Sequence, residues 1–210
     1  EEFAERLFTY GGDFWKIDVL ENDTATVRMS CVDESGRTVE KEFVFCGDSY
    51  VIGHTVRSTA LAGRNVRIGW PCGLDESEGR VSGGRSTQYD RRTVHLYDGS
   101  DIERITMKKP GTEERSGMYQ WVGVTSKYFV VALVWEEVRE ADIRIEGVVD
   151  SASGSGKAQN LNYGLDVRRT AEETEERCRI YAGPKCIEGL RAEEVRLEKV
   201  LYGGWRWFFR

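Results

Sequence analysis

Residues 128–135 read Tyr-Phe-Val-Val-Ala-Leu-Val-Trp, the longest uninterrupted apolar run in the chain. Eight residues fall far short of the roughly 20 helical residues that cross a bilayer core. They do suit a central strand that is covered on both faces, because such a strand needs no polar side. On the N-terminal side of this run the pattern is period two. Ala25, Val27, Met29 and Cys31 alternate with polar neighbours, as do Trp15, Ile17 and Val19. After the turn signal DESGR (33–37), Val39, Phe43 and Phe45 share a face, followed by Tyr50, Ile52, His54 and Val56, then Val66, Ile68 and Trp70. This spacing predicts strands with one face towards a core.

Further strands are predicted at 92–97, 102–108, 119–122, 126–135, 142–150, 161–168 and 177–181. Two low-complexity stretches, GRVSGGRSTQ (79–88) and SASGSGKAQN (151–160), read as loops. The period lengthens only near the C-terminus. Pro184 suits a first helical turn, Ile187, Leu190 and Leu197 recur at spacings of three and seven, and Gly203 and Gly204 stop the helix. Whether that helix runs to Tyr202 or ends near Glu194 is open on spacing alone. The expected fold is all-β and mainly antiparallel, a two-sheet sandwich closed by a C-terminal helix.

The chain has 210 residues, 40% of them hydrophobic and 31% charged, with 23 Gly, 3 Pro and a net charge of −6. That composition is globular and turn-rich. Its charges are interspersed, as in RRTAEETEERCR (168–179), so no basic stripe is available to neutralise phosphates and nucleic acid is not an expected partner. EEFAERLF at the N-terminus lacks the pattern of a signal peptide, and the chain as given is expected to be soluble.

Five cysteines, at 31, 46, 72, 178 and 186, leave at least one thiol unpaired within the chain. A turn over 33–37 places Cys31 opposite a residue near Val39, so Cys46 lies roughly 20 Å from Cys31 at about 3.4 Å per residue. Most of the five are expected to be buried free thiols.

Motifs of chemistry are sparse. GSGK (154–157) has Ser151 and Ala158 where a P-loop needs Gly and Ser or Thr. The cysteines lack the close pairs of structural zinc sites, and no nucleophile elbow is present. No catalytic residue, metal or cofactor is expected. The ending GGWRWFFR (203–210) sets two Trp and two Phe between Arg206 and Arg210. This is either an edge packed on the sandwich or an interfacial anchor, since Trp and Arg belong at headgroup depth.

Several segments together resemble the large periplasmic domain of the YidC family of bacterial membrane-protein insertases. WVGVTSKYFVVALV (121–134) is similar to its signature strand, with Trp121, Gly123, Lys127, Tyr128 and Phe129 at the motif positions. YAGPK (181–185), with Tyr181, Gly183, Pro184 and then Leu190, resembles the turn before the closing helix. LYGGWRWFF (201–209), with Gly204, Trp205, Trp207, Phe208 and Phe209, resembles the junction to a second transmembrane span. FVFCGDSYVIGHTV (43–56) and RIGWPCGLDESEG (67–79) are similar to earlier strands, so the resemblance covers about residues 14 to 209.

The resemblance implies a β-supersandwich like that of galactose mutarotases, on the periplasmic side of the inner membrane as part of an integral membrane protein. It implies an N-terminal lead-in over 1–13, a supersandwich over 14–182, a C-terminal helical segment over 183–202 and an aromatic junction over 203–210. It further implies an accessory domain of an insertase and chaperone with no cofactor, no enzyme activity and no insertase activity of its own. The implied partners are the membrane domain of the same full-length chain, components of the Sec translocon and nascent inner-membrane proteins.

Two other functions fit such a sandwich. A mutarotase-like carbohydrate enzyme needs a general acid and base, for which His54 and His95 are the only histidines. A non-catalytic sugar- or peptide-binding module needs an aromatic platform or open edge, with Trp70, Tyr89 and Tyr97 as members.

Overall fold

The structure, a computed structural model, describes residues 24–32, 36–71, 73–74, 92–149, 161–171 and 174–201. The strand expected at Trp15–Val19, the loops at 79–88 and 151–160, and the aromatic ending at 203–210 lie outside the described residues. Among the described residues ten strands run in chain order: β1 (Thr24–Val32), β2 (Thr38–Cys46), β3 (Val51–Ser58), β4 (Asn65–Trp70), β5 (Thr93–Tyr97), β6 (Ile102–Ile105), β7 (Gly111–Thr125), β8 (Phe129–Val149), β9 (Leu161–Thr170) and β10 (Glu175–Pro184). Every pairing between them is antiparallel. The hydrogen-bonded order is β1-β2-β3-β10-β8-β7-β5-β6, with β9 attached to β8 and β4 to β9 off that path.

The long strand β8 makes two layers out of one ladder. Its residues 129–134 pair with β10 and its residues 142–149 pair with β9, while β7 pairs on the other side with 130–134 and 139–147. Where β8 changes partner, Tyr119 faces Arg139 but Trp121 faces Val134, so Trp135–Val138 of β8 stand against Gln120 alone. Such a bulge bends the strand and lets the two wings fold towards each other. The sequence predicts two strands here, 126–135 and 142–150. The charged stretch EEVREA (136–141) interrupts the apolar periodicity without interrupting the backbone.

The wings enclose one core. Val94, Leu96, Val122, Val124, Leu133 and Trp135 meet Ile143, Ile145, Leu161, Tyr163, Leu165 and Val167 from the other wing. The opposite face of the first wing carries a second core of Tyr97, Trp121, Val130, Ala132, Val134 and Tyr181 under Leu190, Val195, Leu197 and Val200. The apolar run 128–135 is therefore covered on both sides from Val130 onward, as its lack of a polar face requires. Each fully buried Val or Leu contributes about 1.5–3 kcal/mol relative to an exposed one.

The closing helix is shorter than the sequence suggests. Helix α1 spans Ile187–Arg191, and a 3-10 turn follows at Leu197–Leu201. Between them Glu194 and Arg196 take φ of 57° and 58°, left-handed values that no α-helix can continue through. Pro184 is not in its first turn. It is the last residue of β10, paired with Phe129. In the first hairpin, Cys31 pairs with Val39 and Cys46 with Thr24, which keeps the two thiols at opposite ends. Cys31, Cys46, Cys178 and Cys186 are all unpaired, yet only Cys178 is buried and Cys46 is exposed. The expectation of mostly buried thiols fails at Cys46 because it ends its strand at the turn; Cys72 lies outside the described residues.

Candidate functional site: a corner where two motifs meet

The two sequence motifs, more than fifty residues apart, come together at one end of the first wing. Lys127, Tyr128 and Phe129 form the turn from β7 into β8, and all three are exposed. This turn is closed by Ser126, whose backbone N–H donates to the Phe129 carbonyl at 2.9 Å and whose Oγ accepts from the Phe129 N–H at 3.2 Å. Lys185 then ties it to β10. Its backbone N–H donates to the Tyr128 carbonyl at 2.7 Å, and its Nζ donates to the Ser126 carbonyl at 3.0 Å. Burial lowers the pKa of this ammonium. Lys127 holds its Nζ 4.6 Å above the Tyr128 ring.

On the other side of β10, the Tyr181 hydroxyl donates to the Pro184 carbonyl at 2.7 Å, and burial pushes its pKa up to about 12. Gly183 lies beneath the Tyr50 ring, where an added Cβ would stand 2.6 Å from Cγ. The Tyr50 carbonyl accepts from the Ala182 N–H at 2.9 Å. Tyr50 is 55% exposed. Its alternation with Ile52 and Val56 suggests a core-facing ring, but it sits just before β3, beyond the last paired row. Tyr50 and Lys185 complete this corner and were not among the candidate residues. Lys185 stands within YAGPK, the one signal that could have found it.

Other motif positions are interior. Trp121 is fully buried, stacks on Tyr97 with centroids 5.3 Å apart, and donates from Nε1 to the Val195 carbonyl. Gly123 faces Ala132 so closely that a Cβ would meet the Val131 carbonyl oxygen at 2.8 Å. Leu190 is buried in the same core. Gly204, Trp205, Trp207, Phe208 and Phe209 lie outside the described residues.

The two histidines do not converge. His54 shares a face with Cys178, its Nδ1 lying 3.5 Å from Sγ, and Cys178 belongs to the core between the wings. His95, hydrogen-bonded through Nε2 to Thr125 Oγ1 at 3.1 Å, is two positions from Tyr97 on the face that carries the other core. Strands β10, β8 and β7 separate them, about 19 Å at roughly 4.8 Å per strand. A mutarotase-like acid–base pair cannot be assembled from them. Of the proposed platform, Tyr97 is buried, Trp70 is half-buried with its Nε1 on the Gly73 carbonyl, and Tyr89 lies outside the described residues.

The charged run 168–179 is not wholly a solvated surface. Arg169 and Glu176 form a buried ion pair, with side-chain exposures of 6% and 9%, and the guanidinium lies 5.7 Å from the Trp135 ring centre. It fills the gap where β9 and β10 diverge from β8. Among the described residues no cluster of His, Cys, Asp or Glu could hold a metal ion. No helix among them is long and apolar enough to cross a membrane.

These features define a β-sandwich domain whose sequence motifs build a packed core and one tied corner. The family model of the YidC periplasmic domain matches residues 13–210, and the chain belongs to that family. It is 31% identical over 183 residues to the membrane protein insertase YidC of Chlorobium luteolum, covering 83% of this chain and 30% of that protein. With the same insertase of Chlorobaculum parvum it shares 28% identity over 222 residues, 99% of this chain and 36% of the relative. For Chloroherpeton thalassium the values are 27%, 84% and 31%. The chain thus spans about a third of the length of these curated relatives. Membership makes it a periplasmic domain of an inner-membrane protein.

Proposed function

We propose that the chain is an accessory docking domain of a membrane-protein insertase and chaperone. In this reading it assists insertion and folding of inner-membrane proteins through contacts, with neither enzyme activity nor insertase activity of its own. The observation that carries it is the family match across residues 13–210, set against relatives about three times as long. The separation of His54 and His95 on opposite faces supports the non-enzymatic part.

Its partners are the membrane domain of the same full-length chain, the Sec translocon and nascent inner-membrane clients. The supersandwich, expected to begin near residue 14, extends to the end of β10 at Pro184, the segment Ile187–Leu201 closes one face, and 1–13 and 203–210 lead towards membrane segments. Motif residues Trp121, Gly123, Tyr181 and Leu190 hold the segment's seat, while Gly204, Trp205, Trp207, Phe208 and Phe209 form the junction.

The test is an insertion assay in cells depleted of their own insertase. The full-length protein should restore insertion of a client, and the 210-residue chain alone should restore none. Insertion driven by the isolated chain would refute the reading.

A further inference from the structure

Among the described residues, three aromatic side chains are exposed: Tyr50 at 55%, Tyr128 at 42% and Phe129 at 41%. All three stand at the same end of the first wing. Tyr50 ends the turn before β3, Tyr128 and Phe129 form the turn into β8, and β3 and β8 flank β10. The two turns are therefore about 10 Å apart across the sheet, two strand spacings, with Tyr50 and Phe129 offset by about 7 Å along it. The other exposed large apolar side chains, Val32, Met118, Val148 and Val149, are aliphatic and lie elsewhere on the sheet.

The end is built rather than loose. Lys185 fastens the β7–β8 turn through two carbonyls, and the Ala182 N–H fastens Tyr50. Turn tips are convex, so they suit a soft surface better than a groove in a rigid partner. Tyrosine carries an apolar ring with a polar tip, which is the chemistry of the membrane–water boundary. Lys127 over the Tyr128 ring adds a cation on an apolar stem that can reach phosphate while the ring sinks. Asp48, in the turn between β2 and β3, is an exposed carboxylate at the same end of the sheet.

We propose that this end of the sheet, Tyr50, Tyr128 and Phe129 with Lys127, rests in the headgroup layer of an anionic phospholipid membrane. The inference deepens the docking role proposed above and rests on it, since a domain of a membrane-protein insertase works beside lipid. Lipid contact at this corner would orient the domain, leaving β1 and the rest of the sheet for protein partners.

The test is flotation of the 210-residue chain with vesicles of phosphatidylethanolamine and phosphatidylglycerol. The native chain should float, and Tyr128→Ser with Phe129→Ser should lower the bound fraction about tenfold, the loss of two interfacial rings. Tyr50→Ser and Lys127→Glu should each lower it about threefold. Met118→Ser, an exposed apolar position away from this end, should bind as the native chain does. Circular dichroism of each variant establishes that it is folded. A native chain that stays out of the vesicle layer overturns the inference, as does binding that persists without the rings. Binding by Met118→Ser as weak as by Tyr50→Ser would also overturn it. Flotation does not depend on client insertion, so its failure would leave the docking role standing.

Discussion

Trp121 donates its indole N–H to the carbonyl of Val195 at 3.0 Å, joining strand β7 to the C-terminal segment across 74 residues of chain. The bond is buried, and Val195 lies between the two left-handed residues Glu194 and Arg196 that separate α1 from the 3-10 turn. Trp121 thus anchors the link between α1 and the 3-10 turn. Trp121→Phe keeps most of the ring's packing but leaves that carbonyl without its donor. It should cost about 1–3 kcal/mol in urea unfolding. Trp121→Ala, which also leaves a cavity beside Tyr97, should cost about 3–5 kcal/mol.

Two glycines of the motifs leave no room for a methyl group. An added Cβ at Gly123 meets the Val131 carbonyl oxygen at 2.8 Å and the Ala132 Cβ at 2.9 Å, both fixed in the sheet. At Gly183 it meets Tyr50 at Cγ (2.6 Å) and Cβ (2.7 Å), the root of a side chain whose backbone is held by the Ala182 N–H. Gly123→Ala should therefore destabilise by about 1–3 kcal/mol. Gly183→Ala should cost a similar amount and also shift Tyr50 with its turn, a change that tyrosine NMR signals would report.

The buried histidines should make the fold sensitive to mild acid. Desolvation, and secondarily Lys41, lowers the pKa of His54 to about 4; desolvation, then Arg104 and Lys185, lowers that of His95 to about 3. The unfolded chain titrates both near 6.5. Stability is thus fully present above 6.5 and is lost as the pH falls towards the folded values, because the unfolded chain takes up protons that the folded one refuses. At about pH 5 the loss should reach roughly 2 kcal/mol per histidine. Urea midpoints measured across this range should fall, and His95→Gln should flatten the slope.

Thiol reactivity should separate the cysteines by position. Burial pushes the Cys178 thiol up to about 12, whereas Cys46 is exposed at the end of its strand. A thiol-reactive dye should modify Cys46 in the folded protein and Cys178 only after denaturation. Modification of Cys178 at the rate of Cys46 in the native state would contradict this packing. The distinction matters in the periplasm, where an exposed thiol is open to exchange and a buried one is protected.

The corner where the motifs meet was only half legible. The Lys-Tyr-Phe and Tyr-Ala-Gly-Pro-Lys segments are recognisable along the chain, yet nothing in one names the other. Their contact depends on β10 lying beside β8, a pairing between segments some fifty residues apart. Lys185 could be noticed as a motif residue, but its bonds to Ser126 and Tyr128 could not. Tyr50 was misleading, because alternation gives the side of a strand and not whether the strand is still paired at that residue.

Local chemistry set the elements themselves. Period-two alternation marks the strands, the turn at 33–37 places Cys31 opposite Val39, and an apolar run without a polar face demands cover on both sides. These are properties of neighbouring residues, so sequence alone determined them. The tertiary structure decided what non-neighbours do. It carried β8 through 136–141 as one strand, with β7 pairing on both sides of the irregularity at Gln120, and it buried Arg169 and Glu176 of the charged run in the gap where β9 and β10 part. It also split the closing helix at Glu194 and Arg196, where the chain must turn over Trp121. Each of those outcomes rests on desolvation and hydrogen bonding between distant segments, quantities that no local pattern contains.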